Sequence, residues 1–382
     1  MLRDLTDEQL RAAGTLKWAV DGPDVLPCWV AEMDMAVPDV VREAVLAYAG
    51  QGVFGYPDPR GRHRVVDALV GFAAERWGVR VDPHRVLVTG DVMEGMRLTL
   101  QHLTDGGPVV VPTPVYPPFL VTVRDLGRSV VEVPIDPDAD RAELDVAGIE
   151  RAARGGARTL LLCHPHNPVG RCWTRSELES VRDAVEPHGV HVISDEIHAP
   201  LTLPGIDFTP YATVASPDAP VTTLVSATKA FSMPGLRCAQ VVSQRAEDHR
   251  RLAHLHPVLN HGMTTLGQIA AETAYREGGA WLDAVRNRIA GNHELFRSLL
   301  SQSLPAVRVR PAEATYLAWL DVRALDVPDP VAGALRAGVR IDGQDYGAGG
   351  LGHVRVNLGT TPERVREIVR RLSAPAAGWA RT

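Results

Sequence analysis

Val221-Thr-Thr-Leu-Val-Ser-Ala-Thr-Lys-Ala-Phe231 is a short apolar run that ends in small hydroxyl residues and a lysine. A buried strand delivers its last side chains into a cleft in just this way. Upstream lie more runs of the same kind: Arg85-Val-Leu-Val-Thr-Gly90, Pro108-Val-Val-Val111, Thr159-Leu-Leu-Leu-Cys163 and Val190-His-Val-Ile-Ser194. Helical spacing separates them. Met93, Met96, Leu100 and Leu103 recur on one face, and Glu177 to His188 has helical periodicity ending at Gly189, a suitable C-cap. Strands that are apolar through most of their length and alternate with helices predict a largely parallel sheet covered on both faces, an α/β fold. Ligands on such sheets bind at the carboxyl ends of the strands.

The chain has 382 residues, enough for a large domain and an accessory one. Residues 45–275 read as the large domain and 276–382 as a smaller α+β domain, with helical stretches and the strand-like runs Tyr316-Leu-Ala-Trp-Leu320 and His353-Val-Arg-Val-Asn357. Residues 1–44 are expected to pack against the small domain. A net charge of −6 with scattered arginines gives no attraction to nucleic acid or anionic membrane. No stretch approaches the ~20 apolar residues of a membrane span. The first residues are acidic and carry no apolar signal core, so a soluble cytoplasmic protein is expected. Cys28, Cys163, Cys172 and Cys238 form no CxxC pair and are expected as reduced thiols, with no metal site.

Only two of the 40 basic residues are lysines, Lys17 and Lys229. Arginine stays protonated and cannot form a Schiff base, so a surviving lysine is a candidate for amine chemistry. Lys17 lies in a polar N-terminal stretch and reads as an ordinary surface residue. Lys229 stands at a strand end beside other chemistry. Val88-Thr-Gly-Asp-Val-Met-Glu-Gly-Met96 is a strand end, a glycine turn and a helix start, whose free N–H groups near Val92 and Met93 suit a phosphate. Asn167 follows a strand in a Pro- and Gly-fixed turn, and Asp195 ends the next strand, where a buried carboxylate needs a cationic or donor partner. Ser226, Lys229 and Arg237 together suit an anion plus an aldehyde. Each has a bland alternative, as a helix junction, a plain turn or an N-cap; the combination in this order is what carries weight.

That order resembles the fold-type I pyridoxal 5'-phosphate (PLP) enzymes of the aminotransferase class I/II superfamily, over nearly the whole chain. Within it, Trp29-Val-Ala-Glu-Met-Asp34, Gly52-Val-Phe-Gly-Tyr56, Pro112-Thr-Pro-Val-Tyr-Pro-Pro-Phe119, Asp195-Glu-Ile-His198 and Thr315-Tyr-Leu-Ala-Trp-Leu-Asp321 are similar to the MalY/PatB branch of cystathionine β-lyase-like C–S lyases. The resemblance implies a three-layer sandwich around a mostly parallel sheet. It implies Lys229 as the Schiff-base lysine and proton shuttle, Asp195 on the pyridinium nitrogen, and Asn167 on the ring's phenolic oxygen with His198 nearby. Tyr116 would stack on the ring. Val92, Met93, Ser226 and Arg237 would bind the phosphate, and Tyr56 would reach the phosphate and substrate of the neighbouring subunit of a homodimer. Arg355 would clamp the carboxylate of a small amino-acid substrate.

Three departures from the branch involve four residues. Glu32 and Met35 stand where Asp and Phe are usual, His164 stands where Asn or Ser is common and close to the expected cofactor pocket, and Arg237 is more typical of aminotransferases. His164 is otherwise read as a solvent-exposed turn residue. The implied reaction is β-elimination from an S-substituted L-cysteine, giving a thiol, pyruvate and ammonia. An aminotransferase is the alternative, followed by decarboxylation or oxidative deamination of a cysteine conjugate. A binding protein on the same fold would lack the lysine, and Lys229 is present.

Overall fold

In a computed structural model of the chain, residues 2–57, 64–139, 141–325 and 327–379 are described. Seven strands form the main sheet: β1 Val86–Thr89, β2 Val109–Thr113, β3 Val130–Pro134, β4 Thr159–Cys163, β5 His191–Asp195, β6 Val221–Val225 and β7 Ala239–Ser243. Their order across the sheet is β1-β7-β6-β5-β4-β2-β3. All neighbours are parallel except β7, which runs antiparallel to both β1 and β6. The central strands β2, β4, β5 and β6 are buried at every residue, as a sheet covered on both faces requires. Two apolar cores lie on its two faces, one around Leu160, Leu162 and Trp173 and the other around Leu161, Ile193 and Leu224.

The helices between strands carry their own end signals. Helix Arg175–Val185 opens on a capping box, Thr174 with Glu177. The expected run to His188 continues past Val185 only as a short 3₁₀ turn, and Gly189 takes the left-handed conformation at φ 64° that ends it. Helix Val92–His102 starts at Asp91, whose side chain accepts from Glu94 N.

A second, antiparallel sheet is made by β8 Arg308–Val309, β9 Leu317–Asp321 and β10 His353–Asn357, in the order β10-β9-β8. Its core holds Val354, Val356, Phe296 from helix Gly279–Ser303, and Leu372 from helix Pro362–Leu372. Leu10, Trp18, Leu26 and Cys28 join the same cluster, and Leu26–Pro27 pairs in parallel with Val339–Arg340. No helix among the described residues is long and apolar enough to cross a membrane, and none of their acidic, histidine or cysteine groups clusters to hold a metal ion. The four cysteines are free and buried.

Candidate active site

Residues just past the carboxyl ends of β4 and β6 form a cleft with the N-terminal strap, residues 29–34, the start of β9 and the middle of β10, through hydrogen bonds of Asn167 to Arg355, of Lys229 and Tyr316 to Ala31, and of Arg355 to Trp29. Asp195, the last residue of β5, is buried, and its Oδ1 accepts from Ile197 N at 3.1 Å. Burial raises its carboxyl to about 7, against the pull of the Ile197 N–H and of the Lys229 charge. Lys229 lies on the short helix Ala227–Ala230 that follows β6, capped by Ser226. Its Nζ donates to the Ala31 carbonyl at 3.0 Å. Desolvation lowers this amine to about 8. Glu32 opposes that fall most strongly, Arg355 deepens it, and Asp195 and Asp91 oppose it. Desolvation thus brings the amine nearer to losing its proton at neutral pH than an exposed lysine would be.

Asn167 and Arg355 meet across the cleft: Arg355 Nη1 donates to Asn167 Oδ1 at 3.2 Å. The guanidinium also donates to the Trp29 carbonyl at 2.9 Å and forms a buried ion pair with Asp342. Its Nε has no partner. Tyr116 donates its backbone N–H to the Asn167 carbonyl at 3.1 Å. Its half-buried phenol is raised by desolvation and feels Arg355, Asp195 and Asp91, so its ring faces the same space. His198 is buried with Nδ1 unpartnered, and desolvation, then the charges of Lys229 and Arg355, lowers its imidazole to about 3.

At the other end of the cleft, Val92 and Met93 open helix Val92–His102. Ser226 Oγ donates to the Cys238 carbonyl at 2.7 Å, and Arg237 forms a half-exposed ion pair with Asp91 at 2.9 Å. Gly90 packs so tightly that a Cβ there would lie 2.4 Å from Gly262 backbone. Of the residues expected at the site, hydrogen bonds and charge interactions tie together Tyr116, Asn167, Asp195, His198, Lys229 and Arg355, whereas Tyr56 is 97% exposed on the surface.

Two expectations are corrected. His164 is neither exposed nor facing the cleft: it is fully buried, stacked on Phe208 at 4.7 Å, accepts from Trp173 N at Nδ1, and reaches the Thr209 carbonyl through Nε2 at 2.9 Å. Both ring nitrogens are spent on the protein. Lys17 is not a surface residue either. It is 1% exposed, its Nζ 2.8 Å from Asp34 Oδ1 and 3.0 Å from the Glu32 carbonyl.

Reading the motifs missed Tyr316, Asp342 and the role of the strap. Tyr316, at the entrance to β9, donates to the same Ala31 carbonyl that holds Lys229, at 2.9 Å. Its motif was visible; its partner, far away in sequence, was not.

The family model for aminotransferase class I and II matches residues 30–372. The chain belongs to that family. Its relatives include the cystathionine β-lyase PatB of Bacillus subtilis, 33% identical over 97% of this chain and 98% of that one, and the cystathionine β-lyase of Corynebacterium glutamicum, 32% identical over 96% and 98%. Cystalysin from Treponema denticola, whose crystal structure contains pyridoxal 5'-phosphate, superposes with a TM-score of 0.90 at 27% identity over 98% of both chains. This family member is therefore a fold-type I, PLP-dependent enzyme of the MalY/PatB type. Its cleft fits the cofactor. A buried carboxylate with one backbone donor, a buried amine and an unpartnered imidazole nitrogen converge there, and burying such groups without a polar ligand is unfavourable.

Proposed function

We propose that the protein is a C–S β-lyase that cleaves an S-substituted L-cysteine, cystathionine or a related conjugate, to a thiol, pyruvate and ammonia. The observation that carries the reading is the Lys229 amine, held on the Ala31 carbonyl at 3.0 Å just past the end of β6, beside the buried Asp195 that ends the neighbouring β5. The names of the relatives favour elimination over amino transfer.

Asp195 would hold the cofactor's pyridinium nitrogen, Asn167 with His198 its phenolic oxygen and Tyr116 its ring face. Ser226, Arg237 and the N–H groups of Val92 and Met93 would hold its phosphate. When bound, PLP supplies an aldehyde carbon for an amine and an electron sink for charge developing at the substrate Cα. Lys229 then takes the Cα proton, a task suited to an amine whose acidity lies near the working pH. Arg355 takes the substrate carboxylate, with Asp342 and Asn167 fixing the plane of its guanidinium. The sulfur leaves as a thiolate, the anion of a thiol with pKa ~8.5, far more readily than an alkoxide. Burial of Asp195 and His198 keeps water from competing for the groups that hold the cofactor.

A homodimer is part of the same reading. Tyr56 ends a stretch with Val53 and Phe54 exposed at 59% and 66%, a patch of the kind that a partner covers. From there Tyr56 would reach the neighbouring site.

Purified enzyme given cystathionine and S-alkylcysteines is expected to release pyruvate without a 2-oxo acid. Dependence on a 2-oxo acid, with no pyruvate from any of them, identifies an aminotransferase instead. Lys229→Ala is expected to lose both the visible cofactor absorbance and turnover.

A further inference from the structure

The chain's two lysines end on adjacent carbonyls of one short segment. Lys229 donates to Ala31 O and Lys17 to Glu32 O. The segment between them, residues 29–34, is held at nearly every peptide. Trp29 O takes Arg355, Val30 O takes Asn357, and Ala31 O takes Tyr316 as well as Lys229. Met33 exchanges two hydrogen bonds with the Ser232 hydroxyl, a residue at φ 53°. On the face away from the cleft, Asp34 Oδ1 accepts from both Lys17 Nζ and Trp18 Nε1 at 2.8 and 2.7 Å. The strap is thus a rigid rail. Its cleft side grips the amine and the guanidinium assigned to the reaction, and its rear side is fastened by a buried ammonium together with Trp18 and Arg364.

We propose that Lys17 is a positioning residue for the reaction: through Asp34 and the Glu32 carbonyl it sets the strap that aims Lys229 and Arg355. The proposal rests on the assignment of Lys229 as the cofactor lysine. A lysine suits the post because a single nitrogen with three donors can bond a carboxylate and a carbonyl at once, at the end of an apolar stem that packs in a core.

The consequence at the cleft is electrostatic as well as geometric. The Lys229 amine is faced by Glu32 and the Ala31 carbonyl from the strap, Asp91 from the turn after β1, Asp195 from β5, His198 beyond it, and Arg355 from β10. Of these, the strap groups depend on Lys17 directly, and Arg355 through its bond to the Trp29 carbonyl. The strap's carbonyl and carboxylate favour the charged amine, while its cover and the Arg355 it anchors disfavour it, so loosening the strap moves the amine's titration.

Two lysines make this measurable. Competitive acetylation of the full-length cofactor-free protein across pH, read by mass spectrometry on the peptides carrying Lys17 and Lys229, gives the Lys229 midpoint directly. The wild-type midpoint is expected near 8. In Lys17→Met it is expected to move by about one pH unit, while the holoenzyme still binds PLP and its KM rises more than its kcat falls, because Arg355 loses its Trp29 anchor. Lys17→Met leaves the buried Asp34 charge to Trp18 and to Arg364, 3.8 Å away, so Lys17→Met/Asp34→Asn, which removes that charge and keeps an oxygen for Trp18, is measured beside it and is expected to show the same shift. An unchanged midpoint in a folded variant overturns the proposal and leaves Lys17 a purely structural residue; so does the failure of both variants to fold. Visible absorbance persisting in Lys229→Ala would instead refute the assignment beneath it.

Discussion

At the scale of single residues, the site works by placing ionisable groups where water cannot reach them. Asp195 and its neighbour Glu196 are both buried, and desolvation raises their carboxyls to about 7 and about 8. Without a cation at the ring site, the folded chain keeps protons there that the unfolded chain has released. The stability contributed by these two groups is complete below about pH 4, the ordinary carboxylate range, and is lost as the pH rises through 7 and 8. Thermal unfolding of the cofactor-free protein at pH 5 and pH 8.5 is expected to show a lower midpoint at the higher pH, and Asp195→Asn is expected to shrink that difference. A wild type and variant that decline in parallel would show that Asp195 is not the buried acid responsible. The buried thiols give a second residue-scale expectation. Desolvation pushes Cys28, Cys172 and Cys238 each up to about 12 and raises Cys163 further still. Thiolate is the reactive form, so a thiol reagent at pH 8 is expected to modify the native protein only as fast as it unfolds; rapid labelling of any cysteine would contradict the buried placement.

At the scale of elements, what could be read along the chain followed the reach of the signal. The strands β4 and β6 announce themselves because every side chain is buried and nearly all are apolar or β-branched. The strands β3 and β7 do not. Glu132 interrupts the first, while the second carries Gln240, a buried amide that accepts from the Tyr275 hydroxyl at 3.0 Å. Strand-end residues such as Asp195, Ser226 and Lys229 were legible because a strand and the turn after it are local. Tyr316 and Asp342 were not, since what places them is the strap and Arg355, on elements remote in sequence. Lys17 failed for another reason: nothing local marks a lysine as buried, and most are exposed. The helix Val92–His102 supports a prediction at this scale. Its N-terminus favours an anion, yet Asp91 already sets a carboxylate there, 2.9 Å from Arg237. Asp91→Ser keeps a capping oxygen for Glu94 N, removes a charge that repels phosphate, and frees Arg237. A lower PLP dissociation constant is expected in equilibrium dialysis. Weaker binding would mean that Asp91 orients Arg237 rather than competing for it.

At the scale of the whole molecule, the question is where a complete site comes from. The small sheet sends Arg355 across to Asn167, and the N-terminal strap sends Ala31 to Lys229, so one chain assembles the groups proposed for the ring, the proton and the carboxylate. Tyr56 stays 97% exposed beside Phe54 and Val53. If its work is done in a neighbour, activity is a property of the pair. A two-fold dimer uses the same patch on both subunits, so each site takes Lys229 from one chain and Tyr56 from the other. Lys229→Ala and Tyr56→Ala are each expected to lose most activity alone. Unfolded together and refolded as a mixture, they form heterodimers in which one site has lost both residues and the other has kept both. Random pairing makes half the dimers mixed with one intact site each, so about a quarter of the wild-type activity is expected to return. A chain that completes its site alone would recover nothing on mixing, and Tyr56→Ala would then act, if at all, within its own subunit.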